Sequence, residues 1–403
     1  MGASLLELLA KGEQDIPLIG NPQFSYFKSV YRRHTNFSIE PIPQYFSEKV
    51  NFGKRVVCKI DRRADMLNAM FLEIELPALQ TNVSWINGIG NHMIKTVELQ
   101  IGGVMICRMT GEYLNIYGEI SSSEGKRAVY YKMVGKFSSY NRTSQSGAVN
   151  LFIPLPFWFC KKIENSLPLV GMQYSEIKVI VEFRNFSECW YSGTSMSITP
   201  TTQEITNAML YCDYIFLDTQ ERRKMVGKTD HTFLIEQVQL SEANTVNTGT
   251  TNNNIDFKFN HPVKELIWVY QANAVNLTND WGNYSMTLDD DTLVQTRIPP
   301  ITYCTYQMNG NERFSKRLAN YFRYVVPWQR HTSVNAEEFM YLYSFSLYPE
   351  EHQPSGSCNM SKIDSNQFQL EYTSSIPLGD IRIYAINYNI IRIKNGMTGL
   401  AYS

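Results

Sequence analysis

The sequence predicts an all-β protein built as two antiparallel sandwiches in tandem. Three observations carry this expectation. Short β-branched and aromatic runs, bounded by Gly, Pro or Asn, recur along the 403 residues. Few long helical periods separate them, which argues against the strand–helix alternation of a parallel sheet. The runs also form two series that share one order of events.

The chain opens on an arm, residues 1–19, with Leu5, Leu6, Leu8 and Leu9 and no basic stretch ahead of them. It reads as a short amphipathic segment rather than a signal peptide. Gly20-Asn21-Pro22 is a turn signal, since Gly and Asn tolerate positive φ and Pro has no N–H to donate. Phe24, Phe27, Val30 and Tyr31 follow at helical spacing, an apolar stripe expected on a short helix packed at the base of the first sandwich. Arg32-Arg33-His34 break the stripe, and Phe37 and Ile39 resume with period two as the first strand.

The first domain is expected over residues 20–218, with strands at 56–60, 70–76, 93–101, 150–159, 175–183 and 211–217. Thr219-Gln220-Glu221-Arg222-Arg223-Lys224 opens a charged connector, 219–230, for which a solvated helix is the plain reading. The second domain, 231–403, carries strands at 233–240, 255–259, 263–270, 302–308, 339–348 and 381–393. In each series a strand ends at a Gly or Asn-Gly turn, Gly102-Gly103 or Asn309-Gly310. A helix-like stretch then follows (Glu112, Tyr113, Leu114 or Arg317, Leu318, Tyr321, Phe322), and after a loop a Pro-terminated aromatic strand. Residues 121–149, 185–207 and 272–299 are rich in Ser, Thr, Asn and Gly and read as exposed loops.

Composition narrows the function. Lys plus Arg number 37 against 38 Asp plus Glu, so there is no basic excess of the kind that sheathes nucleic acid. The seven scattered cysteines form no Cys-x-x-Cys pair and read as small buried hydrophobes in a reducing compartment. No segment reaches the roughly 20 apolar residues of a membrane-spanning helix. There is no Gly-x-Ser-x-Gly elbow, phosphate-binding loop or His-Glu-x-x-His, and the six histidines are never paired at metal-ligand spacing. His261 and His331 are chemically able to act as bases, but hydrogen-bonding roles are the plainer expectation. Asp289-Asp290-Asp291 has the carboxylate density of a calcium site without an EF-hand's glycine and closing glutamate, and reads as an acidic turn. No catalytic, cofactor-binding or metal-binding residue is assigned.

Several motifs resemble the major capsid proteins of nucleocytoplasmic large DNA viruses. They begin with the run from Gly20 to Phe37 and continue with Leu155-Pro156-Phe157-Trp158-Phe159-Cys160. Asp213-Tyr214-Ile215-Phe216-Leu217-Asp218-Thr219 resembles that family's domain junction. Leu234-Ile235-Glu236-Gln237, Phe259-Asn260-His261-Pro262-Val263-Lys264-Glu265-Leu266, Pro349-Glu350-Glu351-His352-Gln353-Pro354 and Asn387-Tyr388-Asn389-Ile390-Ile391-Arg392-Ile393 follow in family order.

The resemblance implies a double jelly roll, two eight-stranded sandwiches side by side. It further implies a structural, non-enzymatic protein without cofactors that forms pseudo-hexagonal homotrimers tiling an icosahedral shell. Implied partners are neighbouring trimers, minor capsid and vertex proteins and, through the arm, an internal membrane, but no sequence-specific nucleic acid. The setting implied is the virion, with assembly in the host cytoplasm. Within this reading, Phe157, Trp158 and Phe159, or Tyr321 and Phe322, fill either a sandwich core or a subunit seam. A minor capsid or vertex role is the alternative within the family. A carbohydrate-binding sandwich, with Trp190, Trp281 and Tyr284 exposed for stacking on sugars, is the alternative outside it.

Overall fold

A computed structural model describes residues 2–136, 146–192, 198–227, 230–286, 297–333 and 339–402. The chain divides into two compact units, Met1–Asn36 and Phe37–Ser403.

The first unit holds a helix, Ala3–Leu9, and a short one, Ile16–Ile19, neither with a buried residue. The helix expected from Phe24 to Tyr31 is absent. Residues 20–36 are turn and extended chain, the four stripe side chains are exposed, and Phe27 is 100 % exposed. Phe24, Tyr26, Phe27, Val30 and Tyr31 favour helix less than the Leu-rich Ala3–Leu9 does, so local propensity does not hold that turn helical.

In the second unit the first lobe contains β1 (Phe37–Gln44), β2 (Arg55–Lys59), β3 (Met66–Leu76), β4 (Ile94–Ile101), β5 (Val104–Thr110), β6 (Val149–Pro154), β7 (Ile177–Phe183) and β8 (Asn207–Leu217). They form two antiparallel sheets, ordered β1-β8-β3-β6 and β2-β7-β4-β5. The second lobe contains β9 (Asp230–Leu240), β10 (Asn252–Phe257), β11 (Pro262–Ala272), β12 (Ile301–Met308), β13 (Asn311–Leu318), β14 (Tyr341–Ser344), β15 (Asn366–Tyr372) and β16 (Gly379–Lys394). Its sheets run β9-β16-β11-β14 and β10-β15-β12-β13, the same permutation as in the first lobe. Each lobe is thus a jelly roll, and the repeated grammar of the sequence is a repeated topology. Short two- to four-residue strands, such as Leu167–Pro168 and Met397–Leu400, extend these sheets.

Burial follows the pleat. From Met70 onward β3 alternates, placing Leu72, Ile74 and Leu76 in the core. β11 is buried at every position after Pro262, because lobe packing covers its second face as well. Its run Leu266-Ile267-Trp268-Val269-Tyr270 is accordingly apolar without alternation. Trp268, Phe368, Tyr306 and Phe322 form an aromatic core in the second lobe, with ring centroids about 5 Å apart.

Sequence and structure differ at several elements. β13, Asn-Glu-Arg-Phe-Ser-Lys-Arg-Leu, is an exposed edge strand whose charges hide the alternation and blunt the edge. β5, Val-Met-Ile-Cys-Arg-Met-Thr, also lacks a clean alternation, since Val104 and Met105 are exposed and Ile106 and Cys107 are both buried. The run 150–159 stops as a strand at Pro154, and Trp158–Lys161 forms a turn of helix. Of 339–348 only Tyr341–Ser344 is strand. The stretch around Glu112 is helix α2 (Gly111–Ser121, α1 being Ala3–Leu9), capped by Thr110 Oγ1 accepting from the Tyr113 N–H at 3.2 Å. The expected loop 121–149 contains a further helix, α3 (Glu124–Val134), closed by Gly135 at φ 68°. The charged run after β8 is helix α4 (Thr219–Gly227), without a buried residue.

Candidate functional site

The two lobes meet along a seam at which Lys161 and Glu112 of the first lobe find charged partners on the second. Lys161, on the turn of helix after β6, reaches Glu236 of β9 at 2.6 Å, and the other oxygen of Glu236 holds Lys264 of β11 at 2.5 Å. Tyr117 and Tyr388 lie against the two ammonium groups, at 5.0 and 5.5 Å from their ring centroids. Burial alone would raise the Glu236 pKa. The two ammonium groups more than reverse this and hold it down to about 2.

A second cluster joins α2 to β16. Arg382 Nε lies 2.9 Å from Glu112 Oε2, to which the Tyr384 hydroxyl also donates, and Thr110 Oγ1 stands 3.1 Å from that hydroxyl. In a third, His331 lies with Nε2 2.6 Å from Glu265 and Nδ1 3.3 Å from Glu350. Burial opposes the imidazolium, but the two carboxylates raise the His331 pKa to about 9. It is therefore a charged, buried structural histidine. His261 adopts φ 65° at the turn into β11, and its N–H donates to Ser361 Oγ at 2.8 Å.

The segment after β11 wraps the first lobe. Asn279, at φ 53°, donates through Nδ2 to the carbonyls of Ser187 and Trp190 at 2.8 and 2.9 Å. Trp281 Nε1 donates to the Glu188 carbonyl at 2.9 Å, and the Arg184 guanidinium lies 4.2 Å over its ring. The alternative of three exposed stacking aromatics is therefore not met: Trp190 and Tyr284 are buried, and Trp281 is half-buried against Glu188 and Arg184. Phe157, Trp158, Phe159 and Phe322 are core residues of the single chain, not seam residues held in reserve for another. Asp289-Asp290-Asp291 lies outside the described residues.

The seam residues escaped sequence reasoning because their partners are distant in sequence. Their one visible signal was a charge inside an apolar run, as in Leu234-Ile235-Glu236 and Val263-Lys264-Glu265-Leu266. Apolar surface does remain exposed elsewhere in the second lobe. Tyr324, Val325 and Trp328 (77 % exposed) lie on the helical turns after β13, and Leu347 and Tyr348 lie beyond β14. Arg330 Nη1 reaches the Leu347 carbonyl at 3.4 Å and ties these two segments together.

Two jelly rolls with the same strand permutation, side by side, define a double jelly roll. The coordinates superpose on the quasi-atomic PBCV-1 virus capsid with a TM-score of 0.82, at 29 % identity over 94 % of this chain and all of that one. The Faustovirus major capsid protein shares the fold alone, at 13 % identity and a TM-score of 0.79 over 97 % of this chain and 96 % of that one. Residues 25–218 match the family described as major capsid protein N-terminus, and 221–399 the family described as large eukaryotic DNA virus major capsid protein. The major capsid protein of Pyramimonas orientalis virus is 37 % identical, and that of Paramecium bursaria Chlorella virus 1 is 32 % identical, with full coverage of both chains in each case. The chain belongs to the major capsid protein family of large eukaryotic DNA viruses.

Proposed function

We propose that this capsid protein is the bulk tile of the shell, associating as a homotrimer whose six lobes make a pseudo-hexagonal block. The observation that carries this is the identical strand permutation of the two lobes, since three copies then supply six similar units around one axis. Exposed Trp328, Tyr324 and Tyr348 provide apolar surface suited to an association face. The role is structural, without catalysis. The domain plan is a jelly roll over 20–218, a connector over 219–230 and a second jelly roll over 231–403. Light scattering on the purified native protein tests the trimer: a mass near three times 46.5 kDa is expected, and a persistent monomer overturns it.

The arm is the natural contact to the interior. Leu5, Leu6, Leu8 and Leu9 on α1 are exposed, as are Leu18 and Ile19, and a minor capsid protein or the internal membrane would cover them. Deleting residues 3–19 is expected to spare trimers and impair shell assembly; normal shells from the deletion would sink the idea. Assembly is placed in the host cytoplasm, with vertex proteins and neighbouring trimers as further partners and no sequence-specific nucleic acid. The near balance of charge motivates that last point.

A further inference from the structure

A cavity of about 250 Å³ lies where the lobes meet, lined by His92, Lys95, Glu112 and Arg184 from the first lobe and by Trp281 and Arg382 from the second. Exposed Lys95 marks its mouth, and buried His92 and Glu112 its floor. Three permanent cations therefore face one carboxylate. Their outer partners are accounted for. Lys95 reaches Glu182 at 2.7 Å, and Arg184 Nη1 reaches Glu188 at a longer 3.2 Å. Arg382 spends Nε on Glu112 and Nη2 on Gln271.

Donors remain after this count. Among the described residues neither Arg184 Nη2 nor Arg382 Nη1 makes a hydrogen bond. An oxyanion is the ligand whose several acceptor oxygens answer guanidinium N–H groups. His92 reports the same field: burial, then Arg184 and Lys136, push its pKa down to about 3.

We propose that this interlobe cavity binds a small free oxyanion of the phosphate class, held between Arg184 of the first lobe and Arg382 of the second. Such an anion pins the lobes together and raises the stability of the block without touching the association surface. The Tyr384 hydroxyl donates to Glu112 and pairs with the Thr110 hydroxyl, so selectivity rests on the two guanidinium groups.

Calorimetric titration of the native protein with inorganic phosphate tests this, against sodium chloride of equal ionic strength. One saturable site per chain is expected, with a thermal midpoint that rises with phosphate and not with chloride. Arg184→Gln should weaken the site by at least about tenfold. Should that variant fold poorly, Lys95→Gln at the exposed mouth should weaken it by a smaller factor, and tungstate soaked into crystals should appear between Arg184 and Arg382. Equal responses to phosphate and chloride, unchanged affinity in both variants, or tungstate bound elsewhere overturns the proposal. A short oligonucleotide competing as well as phosphate would reassign the site to nucleic acid and overturn the free-anion reading.

Discussion

Glu236 is the residue on which the seam turns, because its two carboxylate oxygens join Lys161 to Lys264. Glu236→Gln strands two buried ammonium groups and is expected to cost about 3–5 kcal/mol by denaturant unfolding. Lys161→Met leaves one intact Lys264–Glu236 pair and should cost clearly less. The histidines set the pH response. His331 has its pKa raised to about 9, so its contribution is complete below its unfolded value near 6.5 and is lost as pH climbs toward 9. His92 has its pKa lowered to about 3, so the unfolded chain takes up a proton there first, and stability falls as pH drops from 6.5 toward 3. Stability should therefore peak near pH 6.5. His331→Gln should flatten the alkaline limb alone, as thermal midpoints across pH would reveal; an unchanged alkaline limb would count against the His331–Glu265 pair.

At the scale of elements, α2 is held close against the first sandwich by a residue without a side chain. A Cβ on Gly111 would stand 2.1 Å from the Ile94 carbonyl oxygen and 2.3 Å from that of Asn91, both backbone atoms that cannot step aside. Gly111→Ala is expected to cost about 2–3 kcal/mol and to shift α2, read by denaturation and by amide exchange along 111–121. At Gly103 a Cβ meets nothing within 4 Å, and Gly103→Ala adds only the strain of φ 82°. How legible these elements were varied with their charge pattern. β3, β4, β7 and β16 announce themselves through apolar runs, whereas β13 hides behind Arg313, Lys316 and Arg317. Those long side chains lie over Tyr343, Tyr303 and Tyr321, a role that a polarity pattern reads as loop.

For the whole molecule, apolar packing such as Tyr113 on Tyr384 and the charged pairs Lys161–Glu236 and Glu112–Arg382 join the lobes, while Trp328, Tyr324 and Tyr348 stay exposed. Trp328→Asp, at an exposed position, should leave the thermal midpoint of the chain nearly unchanged and reduce self-association in sedimentation or light scattering. Loss of fold in that variant would mean that Trp328 supports the lobe itself.

The amino-acid order alone determined the all-β class, the two-fold repetition and the family resemblance. These rest on local periodicity, turn residues and contiguous motifs, which a linear string displays. It also marked Leu155-Pro156-Phe157-Trp158-Phe159 as packed, but left open against what. Only tertiary structure decided that these rings fill the chain's own core and that Trp190 and Tyr284 are buried. It alone paired Lys161 with Glu236 and Glu112 with Arg382. The reason is physical: a buried charge is tolerable only beside its counter-charge, and the fold supplies that neighbour from 75 or more residues away.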